Sequence, residues 1–229
     1  MIVTLRSYLG SIILFTAMII PAEAVFGGGK ARTDSHSYKL EYHVKRDGAT
    51  IGTYRFNVHR DEQGQRFDAK LDIEVTIFGF TAYELRHRRS EQWRNGQLVK
   101  LEGKSVYNDD ERYKIRLSRQ GGQHYTLRVN GKTEKLDGTV VSFSPRLSGD
   151  WQKARLISLK GNADAVTKHK RGTERLTIGG KTYDAGHYRL KGDVVRDLWY
   201  DDKGRLLKLS YTKDGATIKF VRKAVIPGE

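Results

Sequence analysis

The sequence predicts a mainly β protein, an antiparallel meander that curls into a barrel or half-barrel. From Tyr38 onward, apolar and polar residues alternate with a period of two, which places the apolar set on one face of each strand. Asx-Gly and Gly-Gly pairs recur between the alternating segments, as β-hairpin turns do. Only three prolines occur in the 229 residues, so few positions are barred from a sheet. Because an open meander leaves two exposed edges, we expect the sheet to curl.

The first 24 residues are predicted to be an export signal. Arg6 precedes an apolar run over residues 8–20, and Pro21-Ala22-Glu23-Ala24 supplies the small residues that a signal peptidase accepts. The run is shorter than the ~20 residues that span a bilayer as a helix, which disfavours an uncleaved anchor. We therefore expect cleavage after Ala24 and a periplasmic mature chain without a transmembrane span. Residues 25–36, rich in glycine and polar residues, are predicted to be a flexible arm, and residues 37–229 a single β domain.

The chain carries 42 lysines and arginines against 27 acidic residues, a formal net charge of +15. An exported protein with this charge meets anionic envelope material, such as lipid head groups, acidic polysaccharides or acidic proteins. The export signal argues against nucleic acid as a partner. The alternative interpretation is that the charge only maintains solubility. The absence of cysteine excludes disulfides, thiolate metal sites and a cysteine nucleophile.

The first predicted hairpin spans residues 38–58. Its apolar residues are Tyr38, Leu40, Tyr42 and Val44 before the turn, and Tyr54, Phe56 and Val58 after it. A three-residue loop, Arg46-Asp47-Gly48, would pair Leu40 with Tyr54 and keep the apolar residues on one face. A two-residue loop would pair Leu40 with Arg55, so the longer loop is expected.

The same alternation predicts strands through the rest of the chain, including a long one over residues 67–77. The predicted turns are Phe78-Gly79-Phe80, Asn95-Gly96, Asn108-Asp109-Asp110, Gly121-Gly122, Asn130-Gly131, Asp137-Gly138, Gly179-Gly180, Lys203-Gly204 and Asp214-Gly215. Residues 144–160 depart from this pattern. Asp150 can cap a helix in which Trp151, Ala154, Leu156 and Ile157 recur at helical spacing. We therefore expect a short helix near 150–158, lying across a mouth of the barrel.

Two adjacent carboxylates in the segment Trp199-Tyr200-Asp201-Asp202 raise the question of a catalytic site. Acid-base catalysis would need one carboxyl buried beside another that stays ionised, but adjacent strand residues point to opposite faces. A turn at Lys203-Gly204 would instead pair Leu198 with Leu209 and Tyr200 with Leu207, while Asp202 meets Arg205. We interpret the segment as a turn.

No catalytic, metal-binding or cofactor-binding motif is recognisable in the sequence. The run Asn108–Glu111 lacks the ligand spacing of a calcium loop. The seven histidines show no His-Glu-x-x-His spacing, and no Gly-x-Ser-x-Gly elbow occurs. The segment GGGK at 27–30 lacks the strand and the Lys-Ser/Thr pair of a phosphate loop. We predict no catalytic residue, no metal ligand and no cofactor.

For the two basic clusters, Arg86–Arg89 and Lys168–Arg171, a solvated face is the default interpretation, and binding of phosphate or carboxylate groups is the functional alternative. Aromatic residues could line an apolar site beside the first cluster, or could serve only in core packing. The candidate ligand-binding residues are Arg86, Arg88, Arg89, Tyr42, Phe56, Phe80, Tyr83, Trp151 and Tyr200.

Three segments carry a resemblance to a known family. They are YKLEYHVKRDGATIGTYRFNV at 38–58, YELRHRRSEQWRNGQLVKLEG at 83–103 and YDAGHYRLKGDVVRDLWYDDKGRLLKLSY at 183–211. Together they resemble a proteobacterial family of secreted proteins that is catalogued as a domain of unknown function. The resemblance implies a periplasmic, mostly antiparallel β protein, and it brings no catalytic residues. A looser, fold-level likeness is to the half-barrels of lipoprotein carriers, which hold acyl chains in a concave apolar sheet.

Three functions remain open at this point. The first is a non-enzymatic carrier for an amphipathic anionic envelope molecule, which needs an empty apolar cavity. The second is a basic module that docks on an acidic envelope polymer or protein and needs no cavity. The third is an unrecognised hydrolase or isomerase, which needs a buried titratable cluster in a cleft.

Overall fold

The fold is one large β-sheet, which a computed structural model describes over residues 36–223. The predicted signal peptide lies outside the described residues, as does the predicted arm up to residue 35. Strand β1 begins at His36, the last residue of that predicted arm.

Fifteen strands occur in residues 36–223. They are β1 (His36–Arg46), β2 (Ala49–Asp61), β3 (Gly64–Ile77), β4 (Phe80–Arg94), β5 (Gln97–Tyr107), β6 (Glu111–Gly121), β7 (His124–Val129), β8 (Lys132–Asp137), β9 (Val140–Ser142), β10 (Lys153–Ile157), β11 (Ala163–Ile178), β12 (Lys181–Gly192), β13 (Arg196–Tyr200), β14 (Leu206–Lys213) and β15 (Ala216–Arg222).

The strand order is β8-β7-β6-β5-β4-β3-β2-β1-β15-β14-β13-β12-β11-β10-β9. Neighbouring strands are antiparallel throughout, except for β9 and β10, which run parallel. Each strand lies beside its sequence neighbour except β8 and β9, which are the two edges, and β1 joins the two halves by pairing with β15. The prediction of a mainly antiparallel barrel is confirmed.

The predicted helix near 150–158 is wrong. Lys153–Ile157 forms strand β10, in which Ala154 and Leu156 are buried while Lys153 and Arg155 are exposed. The same apolar residues fit a period of two, and pairing with β11 decides between the two patterns. A single 3₁₀ turn, Pro145–Ser148, is the helical element in the described part of the chain.

The first hairpin has a shorter loop than expected. Asp47-Gly48 forms a two-residue turn with φ angles of 47° and 94°, the conformation that Asp-Gly favours. A β-bulge then leaves Ile51 unpaired and shifts the register by one residue. As a result Leu40 pairs with Phe56, two residues from the predicted partner, and the apolar faces still coincide.

Strand β4 shows how the alternation separates the inside of the barrel from the outside. Leu85, His87, Arg89, Glu91 and Trp93 are buried and face inward. The residues between them point to the outer face, so Arg86 and Arg88 are exposed. The inner face of β4 is therefore partly polar, and its polar groups need partners inside the barrel.

Those partners belong to the segment that closes the barrel, residues 140–160, which we call the closing segment. Strands β8 and β9 are the two edges of the sheet, and no ladder joins them among the described residues. Side chains of β4 make the connection instead. Ser142 donates a hydrogen bond to Glu91 at 2.7 Å, and Arg89 Nη2 donates to the carbonyl of Phe143.

Further contacts complete this buried network. Arg89 Nε lies 2.7 Å from Glu91 Oε1, and Trp93 donates to the other Glu91 oxygen at 2.8 Å. Tyr54 also donates to the Phe143 carbonyl, at 3.0 Å. Ser105 on β5 donates to the carbonyl of Leu159. The closing segment is thus held to the wall of the barrel at both its beginning and its end.

We expect Arg89→Met to lower the free energy of unfolding by about 3–5 kcal/mol, because Glu91 would stay buried without its cation. Arg88→Met is the matched control, since Arg88 is adjacent and exposed, and should change stability by about 0.5 kcal/mol or less. Urea-induced unfolding followed by circular dichroism measures both. Equal effects of the two substitutions would show that the network does not hold the barrel.

Candidate functional site

An internal cavity of about 430 Å³ is the candidate site. It opens at one end of the barrel, which we call the mouth. The strands that finish at the mouth include β1, β3, β5, β10, β12 and β14. Antiparallel order brings the turns after these six strands to the same end, so rim residues come from distant parts of the sequence. The closing segment lines one side of the cavity through Phe143, Leu147 and Leu159.

The cavity wall is mostly apolar. Its aliphatic part includes Leu71, Ile73, Leu85, Leu209 and Ile218, and its aromatic part includes Tyr42, Tyr54, Phe56, Tyr83, Tyr107, Tyr211 and Phe220. The period-two pattern explains the composition, because these residues occupy inward positions of their strands. Such a wall suits a hydrocarbon chain or ring system.

The tyrosine hydroxyls deep in the wall are already bonded to the protein. Tyr42 donates to the carbonyl of Leu206 at 3.0 Å, and Tyr54 donates to that of Phe143. Burial raises the pKa of Tyr54 to about 12, so the ring stays neutral at physiological pH. The deep part of the cavity is therefore uncharged and offers a ligand apolar contacts.

The rim of the cavity carries four cations, Arg46, Lys160, Arg196 and Lys213. Lys160 is paired with Glu111 at 2.9 Å, and that hydrogen bond raises the pKa of the lysine. The other three make no ion pair within 4.0 Å in residues 36–223. Asp164 and Asp214 also line the cavity, so the site has four cations and two carboxylates, and three of the cations have no ion-pair partner among the described residues.

Arg196 is the most enclosed of these three cations. Its guanidinium carbon lies 3.9 Å from the centroid of the Tyr211 ring, and burial lowers its pKa. Asp164 also lines the cavity, where burial and the nearby Asp193 raise the pKa of its carboxyl while Arg196 opposes that rise. Arg196 Nη1 donates to the carbonyl of Val195 at 2.8 Å, and the guanidinium has further N–H donors on its edge for a planar anion.

Of the residues predicted from the sequence, Tyr42, Phe56 and Tyr83 line the cavity. Phe80 is 79% exposed in the turn region between β3 and β4, at the mouth end. Trp151 is buried outside the cavity, under the ammonium group of Lys168 at 4.6 Å from the ring centroid.

The predicted arginine cluster is divided by the strand. Arg86 and Arg88 lie on the outer face, whereas Arg89 is buried beside Glu91. None of the three lines the cavity. Tyr200 is buried next to a small depression formed with Tyr188 and Asp201, away from the cavity.

Sequence reasoning missed Arg46, Lys160, Arg196 and Lys213. Each stands at or near a strand end, outside the two basic clusters of the sequence. Their shared signal is position, because each stands beside a turn at the mouth end of the meander. That signal becomes visible once the strands are numbered and their directions assigned.

The paired carboxylates at 201–202 form a turn, as the sequence predicted. Leu198 pairs with Leu209 as expected, but a bulge after Trp199 makes Leu206 rather than Leu207 the partner of Tyr200. The residue that binds Arg205 is Asp201 and not Asp202. Its carboxylate accepts from the Arg205 backbone at 2.8 Å and from Arg205 Nε at 2.7 Å.

Asp201 also has a second cation. Arg222 Nη1 lies 3.6 Å from the same carboxylate, and both side chains are buried. Asp202 is exposed. Both cations and the backbone donors saturate Asp201, which leaves it no free oxygen for proton transfer to a substrate.

One buried serine–histidine pair has the residue types of a nucleophile and base. His87 Nδ1 lies 2.7 Å from Ser105 Oγ, and burial lowers the pKa of His87 well below its usual value. Both residues are only 1% exposed, and the serine donates to the Leu159 carbonyl. The pair therefore fastens the closing segment. In residues 36–223 no group of three or more His, Asp or Glu side chains is placed to hold a metal ion.

The described part of the chain includes no helix with the length and apolarity to cross a bilayer. A family model named DUF6134, a domain of unknown function, matches residues 42–223. No curated protein matches the chain. The match confirms the resemblance to a family of this description.

A solved structure shares the fold. It is the crystal structure of a β-barrel-like protein of another domain of unknown function, DUF1849, from Brucella abortus. It aligns with a TM-score of 0.59 and 8% identity, covering 81% of this chain and 95% of that one. At this identity the likeness shows the fold alone.

We expect Asp201→Ala to reduce the free energy of unfolding by about 3–5 kcal/mol, because Arg222 would remain buried without its anion. Asp202→Ala, the neighbouring exposed position, should change it by no more than about 0.5 kcal/mol. Thermal and urea unfolding of the two variants measure the difference. A large effect of Asp202→Ala would contradict the structural role assigned here.

Proposed function

The chain belongs to the DUF6134 family, a domain of unknown function, and we propose that it is a non-enzymatic carrier for an amphipathic anionic molecule of the cell envelope. The observation that carries this proposal is the apolar cavity whose rim holds three cations without ion pairs among the described residues. An amphipathic anion matches both parts of that site. Its tail would occupy the wall region and its head group the rim.

The cavity has the size and lining for the tail. Its volume of about 430 Å³ falls within the range of small-molecule sites in proteins. Each methylene group moved from water into such a lining contributes about 0.8 kcal/mol. The deep tyrosine hydroxyls are bonded to backbone carbonyls, so the tail would meet ring faces and aliphatic groups.

The rim supplies contacts for the head group. Arg46, Arg196 and Lys213 come from three different elements, and all of them line the cavity. Charge-assisted hydrogen bonds to a carboxylate or phosphate are stronger than neutral ones. Because Arg196 is also partly buried, its contact with an anion would be weakly screened by salt.

The cellular location is part of the proposal. The predicted export signal and the absence of cysteine fit a protein that works in the periplasm without disulfides. The molecules that such a protein encounters include lipids and their breakdown products. The fold shared with the DUF1849 protein supplies a suitable scaffold and does not identify the ligand.

Native mass spectrometry of protein purified from a periplasmic extract tests the proposal. We expect an added mass of lipid size that leaves on delipidation. Bare protein that instead binds an acidic polymer with steep salt dependence would contradict the carrier, and would favour the basic docking module.

We expect Ile73→Trp to weaken binding of the fluorescent fatty acid cis-parinaric acid, because the larger ring fills part of the cavity. Displacing two methylene groups costs about 1.6 kcal/mol, or roughly tenfold in affinity. Asp72→Trp adds the same ring to the outer face of β3 and should leave the affinity unchanged. Fluorescence titration measures both. Equal affinities of the two variants would place binding outside the cavity.

We expect Arg196→Met to lower affinity for cis-parinaric acid by about tenfold, since a charge-assisted hydrogen bond is lost. Binding of the corresponding alcohol should not change, because the alcohol carries no anionic head group. Arg175→Met, at an exposed position on β11, is the control. Equal losses for the acid and the alcohol would show that Arg196 acts on the fold rather than on the head group.

A further inference from the structure

The hairpin between β3 and β4 separates from both neighbouring strands at the mouth. Pairing of β3 with β2 stops at Ile73, and pairing of β4 with β5 stops at Leu85. Residues 74–84 therefore form a strand ladder only with each other, although Glu84 at the base also exchanges two hydrogen bonds with Asn108, and we call these residues the finger. Val75 and Tyr83 of the finger line the cavity, so the finger stands directly at its opening.

The tip of the finger is exposed and apolar. Phe78 is 96% exposed, Phe80 79% and Ile77 51%. Every residue from 76 to 82 is exposed, which leaves these three side chains without a packing surface on the barrel. A soluble surface seldom exposes large apolar side chains side by side without an interaction that covers them.

The first residue of the turn at the tip is of a type that its backbone conformation disfavours. Phe78-Gly79 is a two-residue turn with φ angles of 51° and 83°. Five other two-residue turns in residues 36–223 have similar φ angles. Gly179-Gly180 is one, and the other four have Asp or Asn first: Asp47-Gly48, Asn95-Gly96, Asn130-Gly131 and Asp214-Gly215. A bulky residue in the left-handed region costs energy that Asn avoids. Strain of this kind, kept at an exposed position, indicates a function for the side chain.

Exposed apolar side chains concentrate at this end of the barrel. Besides the three on the finger, Val195 in the turn between β12 and β13 is 45% exposed. In the sheet order four strands separate β13 from β3, so Val195 flanks the mouth from another side. Tyr38, 37% exposed, is the one remaining large apolar side chain exposed in residues 36–223, and it lies at the opposite end of β1.

We propose that the finger and Val195 dock the mouth of the barrel on a lipid bilayer. This inference deepens the proposed function, and its link to cargo rests on that function. Docking would place the cavity opening against the membrane, which is the source of an amphipathic molecule. Phenylalanine rings on a projecting turn can enter the boundary between head groups and acyl chains. Arg46 and Lys213 at the same end would face anionic head groups.

The shape of this surface favours a bilayer over a protein partner. The apolar side chains stand on two separate turns rather than on one continuous face. A stable protein interface buries on the order of 1,000 Å² or more across well-packed surfaces. A bilayer accepts separate points of insertion without a matching shape.

The test uses sucrose-loaded vesicles of phosphatidylcholine with phosphatidylglycerol, and sedimentation as the readout. We expect the protein purified from a periplasmic extract to sediment with the vesicles. In the double variant Phe78→Asn/Phe80→Thr, partitioning should fall by about tenfold or more, since two rings no longer enter the bilayer. Asn-Gly and threonine suit the turn and the strand, so the melting temperature should stay equal or rise.

Tyr38→Ser is the matched control, because it removes an exposed aromatic about 26 Å along β1 from the mouth. It should leave vesicle binding unchanged. Absence of vesicle binding by the wild-type chain, or unaltered binding by the finger variant, would overturn the docking proposal. Titration with cis-parinaric acid without vesicles separates the two proposals. A wild-type chain that binds vesicles but not the fatty acid retains docking and refutes the carrier.

Discussion

Inside the barrel, Arg89 and Glu91 lie 2.7 Å apart and are both almost inaccessible to water. Burying two charges is costly, and the cost is offset only because each has further partners. Those partners are Ser142 and Phe143, at the start of the segment that closes the barrel. Within residues 36–223 the edge strands β8 and β9 do not pair with each other, so side-chain contacts perform the task that a strand ladder performs in a fully closed barrel.

This mode of closure also shapes the site. The closing segment passes along one side of the cavity, and a wall of inward-facing apolar residues forms the rest. The deep part of the cavity is uncharged, and its tyrosine hydroxyls donate to carbonyl oxygens. The charged side chains lie at the rim. The rim residues lie near one another because the turns that follow β1, β10, β12 and β14 all lie at the mouth.

Period-two alternation and Asx-Gly turns were enough to predict the strands and their faces, because both are local properties. Besides the cations of the rim, three features were not predicted. The bulge at Ile51 depends on how β1 pairs, and the Ala154–Ile157 stretch fits either period until β11 offers a partner. Arg89 belongs to a basic run, yet strand parity places it inside, where Glu91 is two residues away. Pairing across the sheet decided the first two cases, and a single sequence does not display it.

The way in which the barrel is closed also determines how far its interior can expand. Where β9 passes β5, the barrel has a seam fastened by a handful of side-chain contacts, while every other junction is a backbone ladder. Separating two paired strands would break a row of main-chain hydrogen bonds, whereas opening the seam would break only a few side-chain hydrogen bonds. The interior is therefore more easily enlarged at this seam than between any two paired strands. The contacts of the closing segment, rather than the number of strands, set the width of the barrel.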